Sequence, residues 1–365
     1  MKQKLLALLV MALFVPLAAN AYDACIDGIY YNIVKKAKQA TVTYGDNKNG
    51  TYSGNVVIPE TVVYDGVTCE IIGIGEYAFS GCTLTSLTIP RTVNIIEAPN
   101  YTSGNMATEF AKSIGSLHIS DLAAWCRIEF SNTQASPTQF AGTFYLNKTA
   151  ITDLVIPNGV TAVSSYAFYG AKMLTSVKLP DSVESIGAGT FQNCSGLTSV
   201  TWGNGITSVG ERAFHKCENI KRVDISDLKA WLSVDFGRSH YSDPLGSGSY
   251  LSVQNPLYYA GHLYLNGTEL TDVVVPDGIE NLSFHAFEGY IAMTSLVIPD
   301  AVKRIEGSLS YGFSKLPNLK SVRIGKGLES MVIGDCAALT SVKVGDGSID
   351  ISISRCPLLT DIQKA

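Results

Sequence analysis

A short phrase that returns at a fixed interval constrains this chain more than any other feature of its sequence. Its copies end at Pro157, Pro180, Gly203 and Ser226, each 23 residues after the last. Between them, a second apolar phrase closes on a phenylalanine, as in Ala167-Phe168. A period of this length indicates stacked structural repeats, each burying its apolar face against its neighbours. We therefore predict a strand-rich α/β solenoid rather than a domain built around one central core.

Each first phrase alternates apolar and polar residues, which is the pattern of a half-buried strand. In one copy, Val177 and Leu179 point inward and Lys178 points outward. Stacking these strands predicts a parallel β-ribbon of eleven strands along one face of the solenoid. The outward residues midway along the strands are Val57, Thr88, His118, Val155, Lys178, Thr201, Asp224, Val274, Val297, Arg323 and Lys343.

The second phrase is too short for a full helix, and we predict a single helical turn there. Its phenylalanines should stack inside the solenoid, at Phe79, Phe168, Phe191, Phe214, Phe287 and Phe313. Two longer insets, near 121–150 and 227–266, share an Ile-Ser-Asp-Leu run followed by Trp125 or Trp231. Because Ser and Asp before an apolar run favour a helix start, each inset should begin with a short helix capped by its serine or its aspartate.

The two ends of the chain differ from the repeats. Residues 1–21 combine Lys2 and Lys4 with an apolar run and an Ala-Asn-Ala site, the pattern of a secretory signal peptide. Residues 22–55 alternate without repeating, so we predict a β-hairpin cap on a solenoid that spans 56–365. The last residues carry no polar cap, which leaves an oligomer through that end open. We expect an exported chain, secreted, at the cell surface or in the periplasm, with no membrane insertion.

Eight cysteines in an exported chain raise the question of disulfides. Cys82, Cys194 and Cys217 each follow a repeat phenylalanine by three residues, which favours buried thiols stacked in equivalent sites. No Cys-x-x-Cys pair and no zinc-like Cys/His spacing accompanies them. We expect mostly free thiols, with the pair Cys25–Cys69 left open.

The combined phrases resemble the BspA-like leucine-rich repeat family of bacterial exported proteins. The run Leu174-Thr-Ser-Val-Lys-Leu-Pro-Asp-Ser-Val-Glu-Ser-Ile-Gly187 matches the family pattern almost throughout. The likeness covers 56–362 and departs from the pattern at 91–117 and 304–355. The resemblance implies a right-handed leucine-rich-repeat solenoid, export, and adhesion or macromolecular recognition, and it implies no catalytic residue.

Composition argues against several classes of function. The chain has 27 basic and 32 acidic side chains and a net charge of −5, without the basic block that binds nucleic acid or an anionic membrane. Its five histidines are scattered, and none lies in a metal-ligand or hydrolase motif. We expect no nucleic-acid partner, no metal and no cofactor.

The segment from Leu232 to Leu263 has the composition of a contact surface, because tyrosines among serine and glycine suit adaptable contacts and sugar stacking. Just after it, Val274 and Val297 form an apolar spot on an otherwise polar ribbon. The predicted ligand-binding residues are Tyr241, Tyr250, Tyr258, Tyr259, Val274, Val297, Arg323 and Lys343. The tyrosines could instead only fasten the inset to the solenoid, and the valines could be ordinary strand residues.

Three functions remain open on the sequence. The first is an exported, non-catalytic recognition protein or adhesin for an extracellular protein or glycan, and this is the one we expect. The second is a structural or assembly subunit built from repeats. The third is a glycan-active enzyme on a β-solenoid, for which Asp235 and Asp243 are the acidic pair that one inset offers.

Overall fold

The computed structural model describes residues 22–99, 109–237, 240–241, 250–251, 254–306, 313–347 and 350–364. The leader predicted at 1–21 lies outside them. Across the described residues the chain winds as a solenoid of parallel strands and short turns around one continuous apolar core, which confirms the predicted fold class. No helix among the described residues is long and apolar enough to cross a bilayer.

The ribbon consists of parallel strands in three separate sheets. The first ribbon sheet holds Ser53–Val57, Thr83–Ile89, Ser113–Ile119 and Ala141–Leu146. The second ribbon sheet holds Asp153–Val155, Ser176–Lys178, Ser199–Thr201, Arg222–Ile225 and Leu263–Leu265. The third ribbon sheet holds Asp272–Val274, Ser295–Ile298, Ser321–Ile324, Ser341–Val344 and Asp361–Lys364.

Two antiparallel returns, Thr149–Ala150 and Thr268–Glu269, interrupt the ribbon at the ends of the first and second sheets. Each follows an asparagine, Asn147 or Asn266, whose positive φ turns the chain back on itself. The prediction of one uninterrupted ribbon of eleven strands is therefore wrong. Each inset supplies a ribbon strand of its own, Ala141–Leu146 or Leu263–Leu265. These two strands were not predicted from the sequence, because they lie inside the insets and outside the repeated phrase.

Shorter parallel strands follow the ribbon strands around the coils. They are Ala162–Val163, Ser185–Ile186 and Ser208–Val209; Asn281–Ser283 and Arg304–Glu306; and Phe313–Ser314, Ser330–Gly334 and Asp350–Ser354. An N-terminal sheet holds Ala24–Ile26, Ile29–Val34, Gln39–Thr43, Thr61–Tyr64, Val67–Ile74, Ile95–Ile96 and Glu129–Phe130. Its first three strands are antiparallel, and Gln39–Thr43 pairs in parallel with Val67–Ile74, so the hairpin continues directly into the coils.

The described α-helices are short and lie at the insets. The α-helices described are Leu122–Trp125, Leu228–Leu232 and Leu257–Ala260, and the 3-10 turns are Lys35–Ala37, Thr133–Ala135, Pro137–Gln139 and Phe284–Phe287. The aspartates, not the serines, cap the first two helices. Asp121 accepts a hydrogen bond from Ala124 N, and Asp227 accepts from Lys229 N and Ala230 N.

Phenylalanines stack along the core as the repeat spacing predicts. The rings of Phe168 and Phe191 are 5.5 Å apart and nearly parallel, and Phe214 continues the stack at 5.2 Å. Among the described residues, the helical turn predicted around these rings forms only at Phe284–Phe287, as a 3-10 turn. The prediction is wrong at Phe79, Phe168, Phe191 and Phe214, which lie in non-helical turns because the residue two places earlier, such as Tyr166, has a positive φ. Phe313 lies in a strand, with its ring buried against Phe287. The repeated cysteines share this interior, and Cys194 Sγ donates to Phe168 O over 3.1 Å.

Candidate binding surface

Strand register places four of the predicted ligand-binding residues in one row on the third ribbon sheet. Val274 pairs with Val297, Val297 with Arg323, and Arg323 with Lys343. Val274 is 58% exposed, and Val297 is half-buried between its neighbours. The row therefore runs from apolar to cationic along the solenoid axis.

The two cations in this row carry free charge at the surface. Arg323 and Lys343 are both exposed, and neither forms an ion pair with another described residue. Arg222 of the second ribbon sheet differs, because Asp224 holds its guanidinium through two hydrogen bonds of 2.7 and 2.6 Å. Arg323 and Lys343 are thus adjacent positive charges on the ribbon face of a chain of net charge −5.

Tyr258 and Tyr259 lie on the flank formed by the phenylalanine turns, not on the outer face of the ribbon. The Tyr259 hydroxyl accepts a hydrogen bond from Lys216 N over 2.9 Å, and burial raises the pKa of Tyr259. Their helix packs along the next coil, where Ala292 N donates to Gly261 O over 3.0 Å. Tyr258 is 40% exposed on this flank. The six predicted residues whose side chains the structure describes therefore divide between two faces of the solenoid.

The remaining tyrosines of the inset pair with each other through the backbone. Tyr241 and Tyr250 are register partners in a two-stranded antiparallel sheet, and their side chains lie outside the description. Of the acidic pair considered for catalysis, Asp235 accepts a hydrogen bond from Gly237 N over 2.7 Å and so stabilises its own loop. Asp243 lies outside the described residues.

Two ribbon tyrosines were not among the predicted site residues. Tyr145 lies in register with His118, and the two rings stack with centroids 4.7 Å apart and planes 8° apart. Tyr264 lies in register with Asp224, and the Arg222 guanidinium sits 3.8 Å from its ring centroid. Aligning the two Tyr-Leu-Asn triplets as strands, rather than as loops before strands, would have found both.

The two tyrosines stand at equivalent places, each on the last parallel strand before a return. Ala150 is the register partner of Tyr145 on the first return, and Glu269 is the partner of Tyr264 on the second. Glu269 Oε1 lies 2.5 Å from His262 Nδ1. Tyr264 therefore lies among charged side chains that pair with one another, whereas the return strand beside Tyr145 presents only the methyl group of Ala150.

Each coil contributes a ribbon strand, a short turn and one layer of buried aliphatic and phenylalanine side chains. This arrangement defines a leucine-rich repeat solenoid. A family model for the BspA type leucine rich repeat region matches residues 65–120, 138–233 and 251–354, in six copies. The chain belongs to this family.

Solved structures similar to the chain include those of three bacterial proteins. A leucine-rich cell surface protein from Faecalibacterium prausnitzii is 19% identical, with 94% of each chain covered and a TM-score of 0.46. A leucine-rich repeat protein from Bacteroides ovatus is 18% identical, covering 93% of this chain and 94% of that one, with a TM-score of 0.38. The pneumococcal vaccine antigen PcpA is 13% identical, covering 94% of this chain and 88% of that one, with a TM-score of 0.43. No curated protein matches the chain.

Proposed function

We propose that the chain is an exported recognition protein, not an enzyme, that binds an extracellular macromolecule through the outer face of its ribbon. The observation that supports this is the contrast between the two sides of the same strands. In the second ribbon sheet the buried register row is uniform: Leu154, Val177, Val200, Val223 and Leu263. The adjoining outward row is Val155, Lys178, Thr201, Asp224 and Tyr264. A purely structural ribbon needs a solvated face, but it does not need a face whose chemistry changes at every strand.

The third ribbon sheet is the surface on which we place a protein partner. Its row begins with the exposed Val274 and the half-buried Val297. It continues through Arg323 and Lys343, which form no ion pair with a described residue, to Gln363. An apolar patch at a charged edge is typical of protein contact surfaces, in which apolar burial supplies affinity and charge steers the approach. This arrangement suits an acidic partner segment that carries apolar side chains.

The experiment uses an array of purified extracellular-matrix proteins and glycans, probed with the secreted chain. For a protein that binds, Val274→Asp and Val297→Asp should each weaken binding about tenfold or more, because each buries a charge in the apolar half of the contact. Val155→Asp is the matched control, since Val155 opens the second ribbon sheet and is 57% exposed, like Val274. Equal weakening by Val155→Asp, or normal binding by both third-sheet variants, would rule out this surface.

The flank is tested separately through Tyr258→Ala. Because Tyr258 lies on the phenylalanine-turn face, weakened binding in this variant would extend the contact around the edge of the solenoid. Unchanged binding confines the contact to the ribbon row. A melting curve of each variant separates a lost contact from a lost fold.

Export is tested on the native protein. The signal-peptide pattern of residues 1–21 supports cleavage after Ala21. Intact mass of the secreted chain should correspond to a start at Tyr22, and a chain that retains Met1 would contradict export by this route.

A further inference from the structure

The outer face of the first ribbon sheet differs from the other two in carrying no aspartate, glutamate, lysine or arginine. Register places eight outward side chains there in two rows. One row holds Asn55, Ser86, Ser116 and Thr143, and the other holds Val57, Thr88, His118 and Tyr145. None of the eight is a carboxylate, an ammonium or a guanidinium group. The corresponding rows of the second and third sheets include aspartate, arginine and lysine.

Within this neutral face, one aromatic ring is held rigidly. His118 Nε2 lies 2.8 Å from Ser116 Oγ, which fixes the imidazole plane, and Tyr145 stacks on that plane. On the opposite side of Tyr145, the register partner is Ala150, which is exposed and carries only a methyl group. The second face of the Tyr145 ring therefore has no large neighbour in the sheet, and the side chain is only partly buried.

Bare backbone adjoins the polar row of this face. Gly115 and Gly142 are exposed, and a Cβ at either place would meet the neighbouring strand, 2.5 Å from Thr85 O or 2.9 Å from Gly115 O. The strands approach too closely there for any side chain. The hydroxyl groups of the polar row and the Tyr145 ring thus lie beside backbone that carries no side chain, at Gly115 and Gly142. A flat ligand can lie against this surface.

We infer that the first ribbon sheet binds an uncharged glycan, with one sugar ring stacked on the open face of Tyr145. The apolar C–H face of a pyranose packs on an aromatic ring, and its hydroxyl groups match short side chains that both donate and accept hydrogen bonds. An anionic glycan or a nucleic acid would need cations that this face lacks. A protein partner would need more apolar area than Val57 and Tyr145 provide.

In the second ribbon sheet, the tyrosine at the equivalent position has its ring covered by a neighbouring side chain. Tyr264 occupies the equivalent position, but Arg222 covers its ring and Glu269 stands where Ala150 stands in the first sheet. Tyr264→Ala is therefore a matched control, because it removes the same side chain from the same position of a coil without opening or closing a free ring face.

This inference rests on the recognition function proposed above but uses a different surface. The probes are neutral polysaccharides, namely soluble starch, mixed-linkage β-glucan, mannan and galactomannan, in affinity electrophoresis of the full secreted chain. At least one should retard the protein. Tyr145→Ala should weaken that retardation roughly tenfold, the usual consequence of losing one stacking platform. Tyr145→Trp should preserve it, and Tyr264→Ala should leave it unchanged.

Three results would overturn the inference: no retardation by any neutral polysaccharide, equal loss in Tyr145→Ala and Tyr264→Ala, or retention only by anionic polysaccharides or proteins. If Tyr145→Ala does not fold, Tyr145→Leu replaces it, because leucine keeps a large side chain in the strand but lacks the aromatic ring. Val274→Asp should bind neutral glycan normally. The two proposals can therefore be told apart. The glycan site can be confirmed when the protein contact on the third sheet is ruled out, and the protein contact can be confirmed when the glycan site is ruled out.

Discussion

Phe191 illustrates how much a single side chain contributes to a stacked array. Its ring lies between those of Phe168 and Phe214 and is fully buried. Because each repeat contacts only its neighbours, the stability of the array is approximately a sum of repeat and interface terms. A residue that contacts the coils on both sides therefore contributes to two interfaces at once.

Phe191→Ala should lower the free energy of unfolding by about 3–5 kcal/mol, the usual range for truncating a buried aromatic side chain. Thr201→Ala, at an exposed position on the ribbon, should change it by less than about 0.5 kcal/mol. Equilibrium denaturation with urea measures both. A loss below about 1 kcal/mol for Phe191→Ala would be incompatible with a stacked interior.

The buried thiols give a second prediction at this scale. Burial raises the pKa of Cys126 to about 12 and that of Cys336 to about 11. The thiolate is the reactive form, so these side chains should resist alkylation in the folded protein at neutral pH. Without reductant, a maleimide should label the exposed Cys25 in the native state and at least six cysteines after denaturation. Finding three or four disulfides would contradict the prediction that most of the thiols are free.

At the scale of the element, each new ribbon sheet begins with a carboxylate that holds the following coil. Asp153 Oδ1 accepts hydrogen bonds from Ser176 Oγ at 2.5 Å and Thr175 Oγ1 at 3.1 Å. Asp272 Oδ1 accepts from the equivalent Ser295 and Thr294, at 2.6 and 2.8 Å. These hydrogen bonds lower the pKa of both carboxyl groups below 3.8.

A lowered pKa fixes the direction of the pH dependence. The two carboxylates stabilise the fold at any pH above the pKa that they have in the unfolded chain. This contribution is lost as the pH falls through their lower pKa in the folded chain. The double variant Asp153→Asn, Asp272→Asn should therefore melt below the unmodified chain at neutral pH, and the two melting temperatures should converge as the pH falls through the lowered pKa of the carboxyl groups. Melting curves across this range measure the effect, and a gap that stays constant with pH would refute the assignment.

Most of the ribbon strands that the sequence predicted share a physical signal, namely alternation closed by proline or glycine. Leu263–Leu265 has the alternation without the closing residue, and its partner strand is 40 residues earlier in the chain, at Arg222–Ile225. No local pattern encodes that pairing. The covered face of Tyr264 and the open face of Tyr145 follow from such pairings, and so the contrast between them became visible only in the folded chain.

At the scale of the whole molecule, the solenoid must stay one body although its ribbon is divided twice. The described ribbon strands form three sheets without a shared ladder, while the apolar core runs through all of them. The two inset tryptophans span the divisions. Trp125 Nε1 donates to Ala167 O over 2.9 Å, and Trp231 Nε1 donates to Ala286 O over 3.1 Å. In each pair the indole precedes the interruption of the ribbon and the carbonyl follows it.

Trp231→Phe should therefore weaken the coupling between the second and third ribbon sheets. The change leaves Ala286 O buried without its donor, which costs roughly 1–3 kcal/mol beyond the lost packing. Local unfolding should then begin in the third sheet. In native-state hydrogen exchange, amides of Ser295–Ile298 should lose protection while those of Ser176–Lys178 keep it.

Trp202→Phe is the control for this experiment. Trp202 lies 5.2 Å from Trp231 in the same aromatic cluster, and its buried indole N–H finds no acceptor among the described residues. The control removes a similar ring volume without breaking a hydrogen bond, so it should cost less stability and leave the third sheet protected. If both variants lose protection equally across the second and third sheets, then packing alone joins the two halves, and the indole hydrogen bond is not what couples them.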